Sequence, residues 1–145
     1  YLWIGKVFEK KAEIHRTKLN KLNGYLSVRT RSAFVHDMND IKKTGIVKDS
    51  TLIYFSNWTR LGASMKDCFD ESENNDKVLK FHKDMHALIA FCSNNLYDPK
   101  NDGNNVLINL ANLPKLKKMA EDLCADLDDL HDLLKKLDRK ILLAF

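Results

Sequence analysis

A run of regularly spaced apolar residues near the C-terminus restricts the possible folds most. Between residues 116 and 141, apolar side chains recur at alternating intervals of four and three, which is a seven-residue repeat. We call this set the heptad seam, and its members are Leu116, Ala120, Leu123, Leu127, Leu130, Leu134, Leu137 and Ile141. Met119 and Leu133 widen the apolar stripe beyond a strict coiled-coil contact. We therefore predict a long bracing helix inside a bundle, with a dimerising coiled coil as the alternative.

The rest of the chain also has helical periodicity. Apolar residues recur at intervals of three and four, and 5 Gly and 2 Pro in 145 residues are too few for a sheet of many strands. Turn signals predict that the first helix ends at Asn23–Gly24 and the second at Gly45. A third helix should open at Asp49–Ser50, and a fourth should precede a loop over 93–105. The predicted fold is an all-α bundle of four or five main helices with a long C-terminal bracing helix, in one domain over residues 1–145.

The compartment is only weakly indicated. Cys68, Cys92 and Cys124 lie on or beside apolar stripes, which predicts buried, inert thiols. Their odd count leaves at least one thiol free or joined to another chain, so one disulfide plus a free thiol is the alternative. No apolar run reaches 18 residues, so we expect no membrane span. The start without Met and the glycosylation sequon at Asn57 favour a secreted protein, although the localisation stays open.

Histidine side chains can bind a metal ion, but the positions of the histidines in this chain argue against one shared metal site. The five are His15, His36, His82, His86 and His131. His82 and His86 lie one helical turn apart, as do His36 and Asp40, and the set resembles hemerythrin in ligand types and order. Periodicity, however, places His36 on the outer face of its helix. Lys136 also stands where that resemblance requires a carboxylate. We therefore predict no bound metal and no cofactor.

Other catalytic patterns are incomplete. The loop Asp98–Gly103 resembles a calcium loop, but Lys100 and Asn109 occupy two positions that need ligating oxygens. Nucleophile-elbow, P-loop and dinucleotide-binding glycine patterns are missing from the sequence. The polar side of the last helix carries an acidic cluster, which we expect to be solvated: Glu121, Asp122, Asp126, Asp128, Asp129 and Asp132. We therefore predict that the protein is not an enzyme.

Charge is unevenly distributed along the chain. Residues 1–48 carry a net charge of +7, whereas residues 49–145 carry −3. The candidate partner-binding residues of the first two helices are Lys6, Lys10, Lys11, Arg16, Lys18, Lys21, Arg29 and Arg31. If these helices pack as an antiparallel pair through the turn at Asn23–Gly24, their polar faces form one continuous basic surface that attracts anions. The competing interpretation is that the acidic last helix neutralises these charges internally.

The functional prediction follows from this asymmetry. We predict a non-enzymatic helical interaction module that binds a macromolecular partner, a protein or an anionic surface, through a basic face of its first two helices. No sequence-specific nucleic-acid motif is visible. The alternative is a bundle that binds a small molecule or a metal ion. A homodimer through the C-terminal helix also stays open.

A short motif suggests one further alternative. The stretch from Trp58 to Ala63, read as Trp-Thr-Arg-Leu-Gly-Ala, resembles part of sperm lysin and covers six residues of 145. Sperm lysins are basic, secreted, all-helical proteins. The resemblance therefore implies a secreted gamete-recognition protein.

Overall fold

The predicted all-α bundle with a long C-terminal helix is confirmed by the computed structural model, which describes residues 2–65, 68–95, 105–107 and 110–143. The elements in chain order are α1 (Leu2–Leu26), α2 (Arg31–Thr44), β1 (Ile46–Lys48), α3 (Asp49–Ser64), α4 (Ser72–Asn94), β2 (Asn105–Leu107), a short 3-10 helix (Leu110–Asn112) and α5 (Leu113–Leu143). Across the described ranges, no helix is long and apolar enough to cross a membrane.

Helix α5 is the element around which the others pack. It has 31 residues, a length of about 46 Å, and Pro114 lies in its first turn, where a missing N–H is tolerated. Helices α1, α2 and α4 all pack against it. The heptad seam from Leu116 to Leu137 is buried within this single chain, except for the half-buried Leu134. A homodimer through this helix stays a prediction, and it would have to use the outer face of α5.

Aromatic side chains fill the centre of the bundle. Trp58 packs edge-on against Phe34 and Phe81, each with ring centroids 5.4 Å away, and Phe55 lies 6.5 Å from it in a stacked arrangement. The indole Nε1 of Trp58 donates a 2.6 Å hydrogen bond to the backbone carbonyl of Tyr25. This buried N–H needs a hydrogen-bond acceptor, which its apolar neighbours cannot provide, and the carbonyl of Tyr25 supplies it. It also joins α1 to α3.

The two predicted glycine ends behave differently. Gly45 follows α2 with a φ of 69°, and its N–H bonds the carbonyl of Ile41, so that prediction is confirmed. The prediction for Gly24 is wrong, because α1 continues through it to Leu26. Tyr25 and Leu26 are both buried. Their burial offsets the roughly 1 kcal/mol that a glycine costs inside a helix.

A small antiparallel sheet is a feature of the fold that the helical periodicity does not predict. Strand β1 pairs with β2 in a register that sets Val47 opposite Val106. It ties the α2–α3 connection to the segment before α5. Two strands of three residues are too short to show the alternating pattern that identifies a strand. The candidate calcium loop, Asp98–Gly103, lies outside the described residues.

All three cysteines are free thiols in the structure, with Cys92 buried and Cys68 and Cys124 half-buried. Burial raises the pKa of Cys92 to about 12. Its thiol therefore stays protonated near neutral pH, and a protonated thiol is a poor nucleophile. The expectation of inert structural cysteines holds best at this position.

Candidate functional site: the basic face of α1

The structure divides the candidate partner-binding residues into two sets. Lys6, Lys10, Lys11, Arg16, Lys18 and Lys21 lie on α1. Arg29 lies in the α1–α2 connection, and Arg31 is the first residue of α2. The two helices do not form the antiparallel pair on which a continuous basic surface depended, because each packs mainly against α5. The residues of α1 therefore form a surface of their own.

Both arginines are held by ion pairs inside the chain. Arg29 makes a two-point contact with Asp37, with Nε to Oδ2 at 2.8 Å and Nη2 to Oδ1 at 3.1 Å. Its guanidinium also lies 4.6 Å from the centre of the Tyr54 ring. Arg31 Nε donates to Oδ1 of Asp128 on α5 at 2.7 Å. Neutralisation by the acidic last helix, the competing interpretation, therefore occurs at Arg31.

Three lysines of α1 share one shallow groove, which we call the basic groove. It encloses about 490 Å³. Its lining residues are Lys10, Glu13, Ile14, Thr17, Lys18, Lys21 and Cys68. Lys10 and Lys21 are exposed on its sides, and Ile14 is an unusually exposed large apolar residue at 47%. The groove thus combines three lysines and one carboxylate, that of Glu13, with an exposed apolar side chain, and its net charge is positive.

The three lysines of the groove differ in whether a carboxylate of the same chain neutralises their charge. Lys18 is half-buried, and its Nζ lies 2.8 Å from Oδ2 of Asp70. This hydrogen bond holds the pKa of Asp70 below its ordinary value. Within the described part of the chain, no carboxylate lies within ion-pair distance of Lys10 or Lys21. Their charges therefore remain available to an external anion.

A second polar feature lies between α4 and α5, and we call it the acid–lysine cluster. It consists of Lys80, Asp84 and Asp126. Asp126 is 4% exposed, so the expectation that the whole acidic cluster of α5 is solvated is wrong at this residue. Lys80 Nζ contacts Oδ1 of Asp126 at 2.5 Å and Oδ2 of Asp84 at 3.1 Å. Among the described residues, no donor reaches Oδ2 of Asp126.

The burial of Asp126 could have been predicted from the sequence. Asp126 lies seven residues after Met119 and seven before Leu133, the two residues that widen the apolar stripe. Residues spaced by seven share one side of a helix, so Asp126 belongs to the packed face of α5. Its polarity alone places it wrongly on the solvated side of the helix.

The acid–lysine cluster predicts an unusual pH dependence of stability. Burial, and then hydrogen bonding with Asp84, raises the pKa of Asp126 to about 7. Above about pH 4 the unfolded chain loses this proton, while the folded chain keeps it until about pH 7. This group's contribution to stability therefore falls as pH rises through that window. Burial acts to raise the pKa of Asp84, but hydrogen bonds with Asp126 and Lys80 outweigh it and lower that pKa.

We expect Asp126→Asn to remove this dependence. Relative to the native chain, the variant should gain on the order of 2 kcal/mol between pH 4 and pH 7, because an amide carries no charge to desolvate. Urea unfolding of both proteins across this range measures the difference, and Asp129→Asn on the exposed side of α5 is the control. A difference that stays constant with pH would contradict the assigned pKa of Asp126.

The histidines do not gather into one site. His82 and His86 are in edge-to-face contact, with ring centroids 4.6 Å apart. Burial, and then the proximity of His86, lowers the pKa of His82. His36 is exposed, as predicted, with its Nε2 3.4 Å from Asp40. No group of three or more His, Cys, Asp or Glu side chains suited to a metal ion occurs in the described ranges. That the protein binds no metal stays a prediction.

The six-residue motif that resembles sperm lysin has a structural explanation in α3. Trp58 lies in the aromatic core, and a Cβ at Gly62 would overlap Nδ1 of His82, so this glycine permits close approach of α3 and α4. Asn57 of the sequon lies beside Trp58 on the same helix, and its Oδ1 accepts a 2.8 Å hydrogen bond from Arg60.

Comparisons with known proteins found no relative of this chain. No family model, curated protein or solved structure gives a significant match to this chain. The resemblance to sperm lysin therefore rests on its six residues alone, and the functional argument depends on the geometry of the chain itself.

Proposed function

We propose that the protein is a non-enzymatic helical interaction module whose α1 binds an anionic macromolecular partner. The observation that carries the proposal is the basic groove, where Lys10 and Lys21 flank the exposed Ile14. Cationic side chains attract an anionic partner over several ångströms, and an apolar side chain between them adds short-range contact. Lys6 and Lys11 extend the positive charge beyond the groove.

The structure narrows the set of residues that the proposal uses. Arg29 and Arg31 already bond carboxylates of this chain, and reversing their charge would break those ion pairs. A loss of binding in such variants would then be hard to separate from a loss of folding. Lys10 and Lys21 have no such role among the described residues. They are therefore the informative positions.

Charge reversal at these two lysines tests the proposal, with heparin as the polyanionic probe. We expect the double variant Lys10→Glu, Lys21→Glu to bind heparin at least about tenfold more weakly, because two attractions become repulsions. The matched control is Lys48→Glu, Lys83→Glu, which changes the net charge equally at exposed positions on β1 and α4. Titration calorimetry at fixed ionic strength gives the affinities, and circular dichroism checks the fold.

The two variants separate the possible outcomes. A large loss in the groove variant with little change in the control supports a binding surface on α1. An equal loss in both would mean that heparin responds only to net charge, and no loss in either would mean that α1 takes no part. Either of these results overturns the proposal.

A further inference from the structure

The outer face of α5 carries a surface that complements the basic groove. Glu121, Asp128, Asp129 and Asp132 are exposed there, and they surround the exposed Ala125. Asp128 is already paired with Arg31 of the same chain, so the charge offered to a partner comes mainly from the other three. Lysines precede and follow this acidic segment of the helix. The negative charge is therefore confined to about three turns.

The two surfaces have the same spacing along their helices. On α1, Lys10, Ile14, Thr17 and Lys21 follow one another at intervals of four, three and four; we call this set the basic row. On α5, Glu121, Ala125, Asp128 and Asp132 follow the same intervals; we call this set the acidic row. Intervals of three and four keep each row on one side of its helix, over about 16 Å.

We propose that a second copy of this chain docks the acidic row of its α5 against the basic row of α1. The proposal rests on the assignment of α1 as the binding surface and names the partner. In the parallel alignment Lys10 faces Glu121, and Lys21 faces Asp132. The large Ile14 then faces the small Ala125, which leaves room for close packing between the helices.

The neighbouring lysines favour this register over a shift by one turn in either direction. Lys117 lies one turn before Glu121, and Lys136 lies one turn after Asp132. A shift of four residues in one direction places Lys10 opposite Lys117, and a shift in the other places Lys21 opposite Lys136. Like charges repel in both cases. In the proposed register Lys6 also faces Lys117, but this one repulsion is outnumbered by the two attractive pairs, Lys10 with Glu121 and Lys21 with Asp132.

The heptad seam is not needed for this association. Its described residues are buried within one chain, except for the half-buried Leu134, whereas the acidic row is exposed. If each copy offers α1 and α5 to the other at once, the contact closes into a dimer; otherwise it continues into longer assemblies. Both arrangements use the same pairs of side chains.

Sedimentation velocity of the full chain tests the proposal. We expect assemblies larger than one chain in about 0.01 M salt and a single chain in about 1 M salt, where the screening length falls from about 30 Å to about 3 Å. The variant Lys10→Glu, Lys21→Glu and the variant Glu121→Lys, Asp132→Lys should each remain monomeric at low salt. An equimolar mixture of the two should associate again, because the opposing charges are complementary in the mixture. The control Lys48→Glu, Lys83→Glu should behave like the native chain.

The mixture makes the test independent of folding defects, since misfolded variants would not restore each other. A native chain that stays monomeric at low salt overturns the proposal, as does a mixture that fails to associate. Heparin binding tests separately the broader proposal that α1 is a binding surface for anionic partners. The variant with reversed α5 charges keeps the basic groove, so it should still bind heparin even if self-association is wrong.

Discussion

Replacing Leu127 with alanine is expected to lower the free energy of unfolding by about 2–5 kcal/mol, the usual cost of truncating a buried leucine. Leu127 is 1% exposed within the heptad seam, at the centre of a helix against which three others pack. The surrounding helices cannot collapse fully into the space left by the lost methyl groups. Urea unfolding monitored by circular dichroism gives the value.

Two further variants make the measurement of α5 decisive. Leu130→Ala, at the neighbouring fully buried position, should cost a similar amount. Asp129→Ala, on the exposed side of the same helix, should change stability by less than about 0.5 kcal/mol. Losses below about 1 kcal/mol at both leucines would show that α5 is peripheral to the fold.

Trp58→Ala should destabilise the protein by about 3–5 kcal/mol or more. The indole is fully buried, packs against the rings of Phe34 and Phe81, and supplies the hydrogen bond to the carbonyl of Tyr25. Alanine removes the largest side chain in the core and leaves that carbonyl without its indole donor. Thermal and urea unfolding both report the loss.

A conservative variant divides this effect into its parts. Trp58→Phe keeps an aromatic ring but loses the N–H donor, so we expect a cost of about 1–3 kcal/mol. Leu61→Ala is the control on the same helix, because Leu61 is 42% exposed and should cost less than about 1 kcal/mol. If Trp58→Ala cost no more than Leu61→Ala, the aromatic core would not be a centre of stability.

The features that could be predicted from the sequence are those specified by local spacing. The heptad seam predicted α5. Gly45 predicted the end of α2, because glycine readily adopts the left-handed conformation that is found there. Gly24 gave the same local signal, yet burial of Tyr25 and Leu26 overrides it, and that burial depends on distant helices. The pairing of β1 with β2 has the same origin, because each strand is too short to be recognised alone.

The candidate site was less accessible to sequence reasoning. The basic residues of α1 were identified by charge, but the ion pair between Arg31 and Asp128 joins residues separated by 97 positions. No spacing rule predicts such a contact. The position of Asp126 was readable from its seven-residue relation to Met119 and Leu133, had that relation been weighed above polarity. Local pattern therefore located the helices, whereas tertiary contacts decided which charges remain exposed.

The central place of α5 also orders events during synthesis. Helices α3 and α4 pack against each other and are close in sequence, so they can associate as soon as both have left the ribosome. Helices α1 and α2 have their main neighbour in α5, the last of the five to be made. The apolar side chains of α1 and α2 that pack against α5 therefore stay uncovered until α5 is made, although Phe34 of α2 can already pack against Trp58 of α3. At that stage α1 and α2, two of the five helices, lack their main packing partner, and the nascent protein is most exposed to aggregation and to chaperones.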